Sequence, residues 1–284
     1  MTNTIVQQPK QVSLLQRKKA VLICLCCVFF FVALYIAGAM MGDTGLRTDF
    51  LHRNLPPSLD YPFGTDWLGR DLLTRTVKGL CISIQIGMLA AMCSAVLAGL
   101  LGVAAATFGG KVDTVITGMI DVVMSTPHLV MLILISFAMG GGVQGVVVAV
   151  ALTHWTRLAR ILRAEVMQLK NADYLQLSTR LGKSKLWIAR NHILPHLLPQ
   201  FVIGLILLFP HAILHSAGLS FLGFGLTPHN PSIGILLSES MQQLSTGHWW
   251  LAVIPGVCLI CMVKVFDILG NTLRYLSDPQ TSQQ

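Results

Sequence analysis

Charge is what this sequence has least of. Of 284 residues only 32 carry a formal charge, 20 basic and 12 acidic, which is 11% against about 25% in an average soluble domain. So small a charged fraction cannot coat a water-facing surface. With 54% hydrophobic residues and a mean hydropathy of +0.68, a soluble chain would have to bury more apolar side chain than its cores can hold. The composition predicts an all-α polytopic membrane protein. The formal charge of +8 then reads as loop charge that orients the spans, and nucleic acid is not expected as a partner.

Other absences narrow the chemistry. The seven cysteines, at 24, 26, 27, 81, 93, 258 and 261, all lie in apolar stretches and imply no disulfide framework. Cys258-x-x-Cys261 has no second pair, so it is read as packing. There is no H-E-x-x-H motif, and the acids of the apolar stretches, Asp121 and Asp267, fall near span ends, which argues against a membrane-embedded enzyme. Buried acids and an internal inverted repeat, the marks of a proton-coupled secondary transporter, are missing too. Rings of charge or a filter motif would be needed for a channel. Gly182-Lys183-Ser184 looks like the end of a phosphate-binding loop, but position 177 is Leu where that loop needs Gly. ATP is therefore expected on another subunit.

What the sequence does hold is apolar runs. Residues 20–41 form a first span of about 33 Å, enough for a hydrocarbon core of about 30 Å. Ala37-Gly38-Ala39 resembles a signal-peptidase site, but the run is too long for a cleaved signal and is read as an anchor. A second span covers 79–108, with Gly and Ala at spacings that favour close helix contact. The uncharged run 122–156 is too long for one crossing and is broken at Gly140-Gly141-Gly142, which predicts a third and a fourth span. A fifth over 197–226 is interrupted by Pro210, and a sixth opens on Trp249 and Trp250 over 249–263 and runs past Lys264.

Six spans with a cytoplasmic N-terminus put 15 of the 20 basic residues inside, as the positive-inside rule requires. The expected organisation is a cytoplasmic tail over 1–19, the first span, an outer loop over 42–78, a membrane core over 79–264 and a cytoplasmic end over 265–284. Within the core, the largest cytoplasmic piece is 157–196. Tyr174, Leu177, Leu181 and Trp187 recur there near helical spacing among basic residues, which predicts an amphipathic helix, a turn at Gly182 and a second helix. Such a helix lies on lipid or fills a groove on a partner.

The run Asp173-Tyr174-Leu175-Gln176-Leu177-Ser178 to Leu181-Gly182, with Ile193-Leu194-Pro195, resembles the permease signature of bacterial ABC importers. Gln176, Leu177 and Ser178 stand where that family usually has Glu, Ala and Ala, while Gly182, Leu194 and Pro195 agree. Phe63-Gly64-Thr65-Asp66-Trp67-Leu68-Gly69-Arg70-Asp71 and Ala217-Gly218-Leu219-Ser220-Phe221-Leu222-Gly223 are similar to segments of the peptide and nickel permeases. For the first of these, the residues alone predict a helix capped by Asp66.

The resemblance implies a type I importer permease of the bacterial inner membrane. It would pair with a second, homologous permease, two ATPase subunits that bind ATP and Mg, and an extracytoplasmic binding protein, with membrane lipid around it. Asp173, Tyr174, Gln176, Leu177, Ser178, Gly182, Leu194 and Pro195 would couple the chain to the ATPase. No cofactor is expected on this chain.

His211 and His215 lie four apart on the fifth span, hence on one face. Two imidazoles so spaced either share a transition-metal ion or bond to neighbouring helices. A His-x-x-x-His directly before the Ala217 to Gly223 motif resembles the nickel permeases, so nickel is the expected substrate and His211 and His215 the expected metal path, with dipeptide or oligopeptide import as the alternative. His128 and His154 are candidates for the same cavity, although nothing in the sequence fixes their direction. His192 and His196 are read as loop structure, and Met124, Met131 and Met139 as packing.

Overall fold

The computed structural model describes residues 14–226 and 231–277; the start of the expected N-terminal tail and the end of the expected C-terminal segment lie outside the described residues. The elements are α1 (Leu14–Met40), α2 (Leu72–Phe108), α3 (Gly110–Ser125), α4 (His128–Ala138), α5 (Gly142–Leu169), α6 (Asp173–Arg180), α7 (Lys185–Ile188), a π-helical turn (Ala189–Ile193), α8 (Leu194–Phe221), α9 (Ile233–Leu244) and α10 (Trp250–Ser277). Among the described residues the only extended pairing is a single bridge between Thr65 and Asp71. Five helices are long and apolar enough to cross a bilayer, and a sixth crossing follows if α3 and α4, which meet at 101°, count as one broken span.

That break corrects the expected third span. The chain turns at Thr126 and Pro127 as well as at the glycines after Ala138, so only 11 residues stand between the two breaks. Thr126 is extended, the conformation imposed on a residue that precedes proline. Three span ends move as well. α2 starts at Leu72 rather than near 79, α5 runs past Arg157 to Leu169, and α8 begins at Leu194. Charged residues mark where a helix leaves hydrocarbon, not where its backbone bonds stop. Nor does Pro210 interrupt the fifth span: α8 continues through it, held by packing such as Phe209 stacked on Phe266 of α10 at 5.7 Å. Neighbouring helices make prolines tolerable in this way.

The core forms where α2 crosses α5. Ala90, Ala91, Ala95, Ala98 and Ala105 of α2 and Ala149, Val150 and Ala159 of α5 are each at most 1% exposed, so small side chains let the two backbones approach closely. α1 is peripheral and joins α10 through Phe31 stacked on Phe266 at 4.0 Å.

Residues 41–71, the α4–α5 turn and α9 gather at one end of the bundle, where Ser136 Oγ donating to Phe224 O (2.6 Å) and Gly142 N–H to Gly225 O (2.9 Å) tie the α4–α5 turn to the chain after α8. α9 packs so tightly there that a Cβ on Gly234 would lie 2.2 Å from Ala217 O. The cap of α2 is Asp71, which accepts from Leu73 N–H and Thr74 N–H, not Asp66 as the sequence suggested. Asp66 is instead buried. It accepts from Leu68 N–H and Arg70 N–H and pairs with Arg70 Nε (2.6 Å) and Arg75 Nη1 (2.5 Å). Glu239 of α9 completes this network at 3.1 Å from Arg70 and 2.9 Å from Arg75.

Candidate functional site

Three imidazoles from three helices meet inside the bundle. His128 opens α4 at the Pro127 break, His154 projects from the middle of α5, and His215 comes from α8. Their ring centroids are 4.7 Å (His128 to His154), 4.7 Å (His128 to His215) and 4.9 Å (His154 to His215) apart. One nitrogen from each lies within 4.8 Å of the others. Three donors at about 2.1 Å from one ion in tetrahedral geometry stand about 3.4 Å apart, so a closure of about an ångström, within reach of rotamer shifts, completes the set.

Depth follows from the helices. α4 runs from His128 to the α9 end in 11 residues, about 16 Å, and His154 lies about 18 Å along α5 from Gly142. Both positions are about half a hydrocarbon thickness deep. A helix broken at mid-depth is how transporters expose polar groups to a central cavity.

His154 is the fixed member. It is buried, with Nδ1 3.1 Å from Val150 O and 3.0 Å from Thr153 Oγ1. A carbonyl only accepts, so Nδ1 carries the proton and Nε2 keeps its lone pair for a ligand. Bonding of this kind to the far nitrogen sets the orientation of a metal-binding imidazole.

The cluster opens on a cavity of about 290 Å³, lined also by Met124, Thr126, Arg157 and His211. Among its lining residues there is no carboxylate, and Arg157 is the one permanently charged side chain. The expected pair is thus divided: His215 joins His128 and His154, whereas the exposed His211 borders the cavity outside the group of three. Met124, read as packing, is on the wall. Thr153 and Arg157 were not found from sequence, where nothing separates a hydroxyl or guanidinium that borders a cavity from one that faces elsewhere.

The predicted coupling segment lies at the opposite end of the bundle from α9. Asp173 opens α6, and Leu175 is its buried anchor. Gln176 Nε2 donates to Asn171 O at 3.3 Å, Ser178 Oγ donates to Tyr174 O at 2.9 Å, and Ser178 Oγ lies 3.3 Å from His192 Nε2. The His192 ring rests against Tyr174 and Trp187. Leu177 and Leu181 are 58% and 70% exposed. Gly182, with φ of 78°, turns the chain toward α7, while Leu194 and Pro195 start α8.

A broken-helix bundle with an exposed helical turn at one end is the architecture of a type I ABC importer permease. A methionine ABC transporter in inward-facing conformations matches with a TM-score of 0.57 and 18% identity, over 72% of this chain and 98% of that one. An amino acid ABC transporter matches with a TM-score of 0.54 and 21% identity, over 72% and 94%. The family model described as a binding-protein-dependent transport system inner membrane component matches residues 98–282. The dipeptide transport system permease protein of Bacillus subtilis (strain 168) is 33% identical over 253 residues, 89% of this chain and 79% of that protein. The oligopeptide transport system permease protein of the same organism is 34% identical over 233 residues, 82% and 76% of the two chains. This chain belongs to the family of binding-protein-dependent transport system inner membrane components. It is a membrane permease of the ABC importer class, and these two relatives are named for dipeptide and oligopeptide transport.

Proposed function

We propose that this chain is one of two permease subunits of an ATP-driven importer for a nickel-class divalent ion, free or chelated, which passes through the site made by His128, His154 and His215. The observation that carries this reading is the convergence of three imidazoles, with donor nitrogens within 4.8 Å, around a cavity without a carboxylate. Imidazole suits nickel, copper and zinc, whereas magnesium and calcium require oxygen ligands.

The partners follow from the class: a second homologous permease, two ATPase subunits that bind ATP and Mg, and an extracytoplasmic binding protein. Leu177 of α6 and Leu181 just after it enter a groove of the ATPase, and Gly182 lets α6 move as a unit. Both termini are cytoplasmic, a reading supported by the 15 basic residues on that side.

Dipeptide or oligopeptide import is the second reading. It is supported by the names of the relatives and by Arg157 on the cavity wall, which matches a peptide's terminal carboxylate as well as a chelator's. Uptake of radiolabelled nickel and of a labelled dipeptide, measured in cells with and without this chain, decides between them. Nickel uptake that depends on the chain is expected; dependence of dipeptide uptake alone would replace the first reading with the second.

A further inference from the structure

A second cavity, of about 430 Å³, lies under α6. Its charged lining has one sign: Lys170, Arg180, Lys183 and Lys185, joined by the hydroxyl-bearing Thr107 and Thr179. Lys170 Nζ lies 3.3 Å from Thr107 O and Lys185 Nζ 3.4 Å from Phe108 O, which places both ammonium groups at the C-terminal end of α2 with donors to spare. Asp113, whose charge reaches Lys170, is committed to Arg163 through bonds of 2.6 and 2.7 Å. Burial and the neighbouring Lys185 hold Lys170 below the usual lysine range, and no carboxylate is among the lining residues of the cavity.

Thr107 is a second, independent sign. It is 5% exposed and its Oγ1 has no hydrogen-bond partner, although buried hydroxyls are nearly always paired. An anionic oxygen in the cavity would satisfy it.

A separate apolar groove of about 260 Å³ lies between α2, α5 and α8, one helical turn along α2 from the cationic cavity. Val103, Leu162 and Leu197 line this groove. Val103 stands one helical turn before Thr107 on α2, and Leu197 stands four residues after Ile193 of the cavity lining, so polar and apolar parts follow one another along these segments. Leu175 and Thr179 of the lining lie about 160° round α6 from Leu177, by the 3.6-residue period, whereas Arg180 stands between the two sides.

We propose that cavity and groove together form a binding site for an anionic phospholipid, the phosphate among Lys170, Lys185 and Thr107 and an acyl chain along Val103 and Leu197. The inference does not depend on which substrate is carried.

The test is lipid retention by the purified permease and ATPase complex, read by native mass spectrometry after exchange into phosphatidylglycerol or phosphatidylcholine. Phosphatidylglycerol is expected to be retained preferentially. Lys170→Gln with Lys185→Gln should weaken it about 25-fold, about fivefold per charge removed, with phosphatidylcholine unaffected. Thr107→Val, which removes only an unpaired hydroxyl and leaves every bond of the fold in place, should lower retention a few-fold. Equal retention of the two lipids, or retention unchanged in both variants, overturns the proposal. Displacement of phosphatidylglycerol by millimolar inorganic phosphate would assign the site to a soluble phosphate compound and also overturns the proposal.

Discussion

Arg75 and Glu239, on helices α2 and α9, meet at 2.9 Å although 164 positions separate them. The contact joins the first turn of α2 to the helix that covers the same end of the bundle. Asp66, 4% exposed at its side chain, holds Arg75 from the other side, while Glu239 is 22% exposed.

The two acids should therefore differ in weight. Asp66→Asn strips a buried carboxylate from two arginines, a loss of about 3–5 kcal/mol by analogy with broken buried pairs. Glu239→Gln leaves Arg75 paired to Asp66 and should cost about 1 kcal/mol. Thermal unfolding of the purified protein in detergent ranks them, and equal midpoints would contradict the network as drawn.

Gly234→Ala tests the packing of α9. Its new methyl would sit 2.2 Å from Ala217 O and 2.7 Å from the Ser220 Cβ, so α9 must shift at a cost of about 1–3 kcal/mol. Lower thermal stability, with a cysteine placed on α9 becoming more reactive to a thiol probe, is the expected outcome.

Gly182→Pro tests the coupling segment. Proline fixes φ near −65° where Gly182 has 78°, removes the N–H that bonds Thr179 O, and disfavours the helical conformation of Leu181 before it. The turn is exposed, so the bundle should insert normally. Uptake and substrate-stimulated ATP hydrolysis should both fall more than tenfold; normal uptake by a correctly inserted variant would remove α6 from the mechanism.

The spans were legible because charge is so scarce that every uncharged run stands out. The break at Pro127 was not, since no change in charge accompanies it, and the three glycines after Met139 carried a stronger signal further along. The same break explains what could be read of the site. His211 and His215 announce themselves by spacing, but His128 and His154 reach His215 from other helices, and only packing fixes which way they point. Asp66 was mistaken for a helix cap for a related reason: Asp71, five residues on, has the same chemistry, and the choice between them depends on buried arginines that a local pattern cannot place.

The three-histidine site is tested most directly by nickel uptake in vesicles carrying the reconstituted complex, with His154→Ala and His215→Ala measured beside the parent chain and His211→Ala. A loss of more than tenfold is expected for His154→Ala and His215→Ala, about two- to threefold for His211→Ala, and basal ATP hydrolysis within about twofold of the parent throughout, since even a hydrogen-bond partner of a metal ligand is worth about 10–100-fold in affinity. Nickel uptake unchanged by His154→Ala and His215→Ala, with ATP hydrolysis intact, would contradict it.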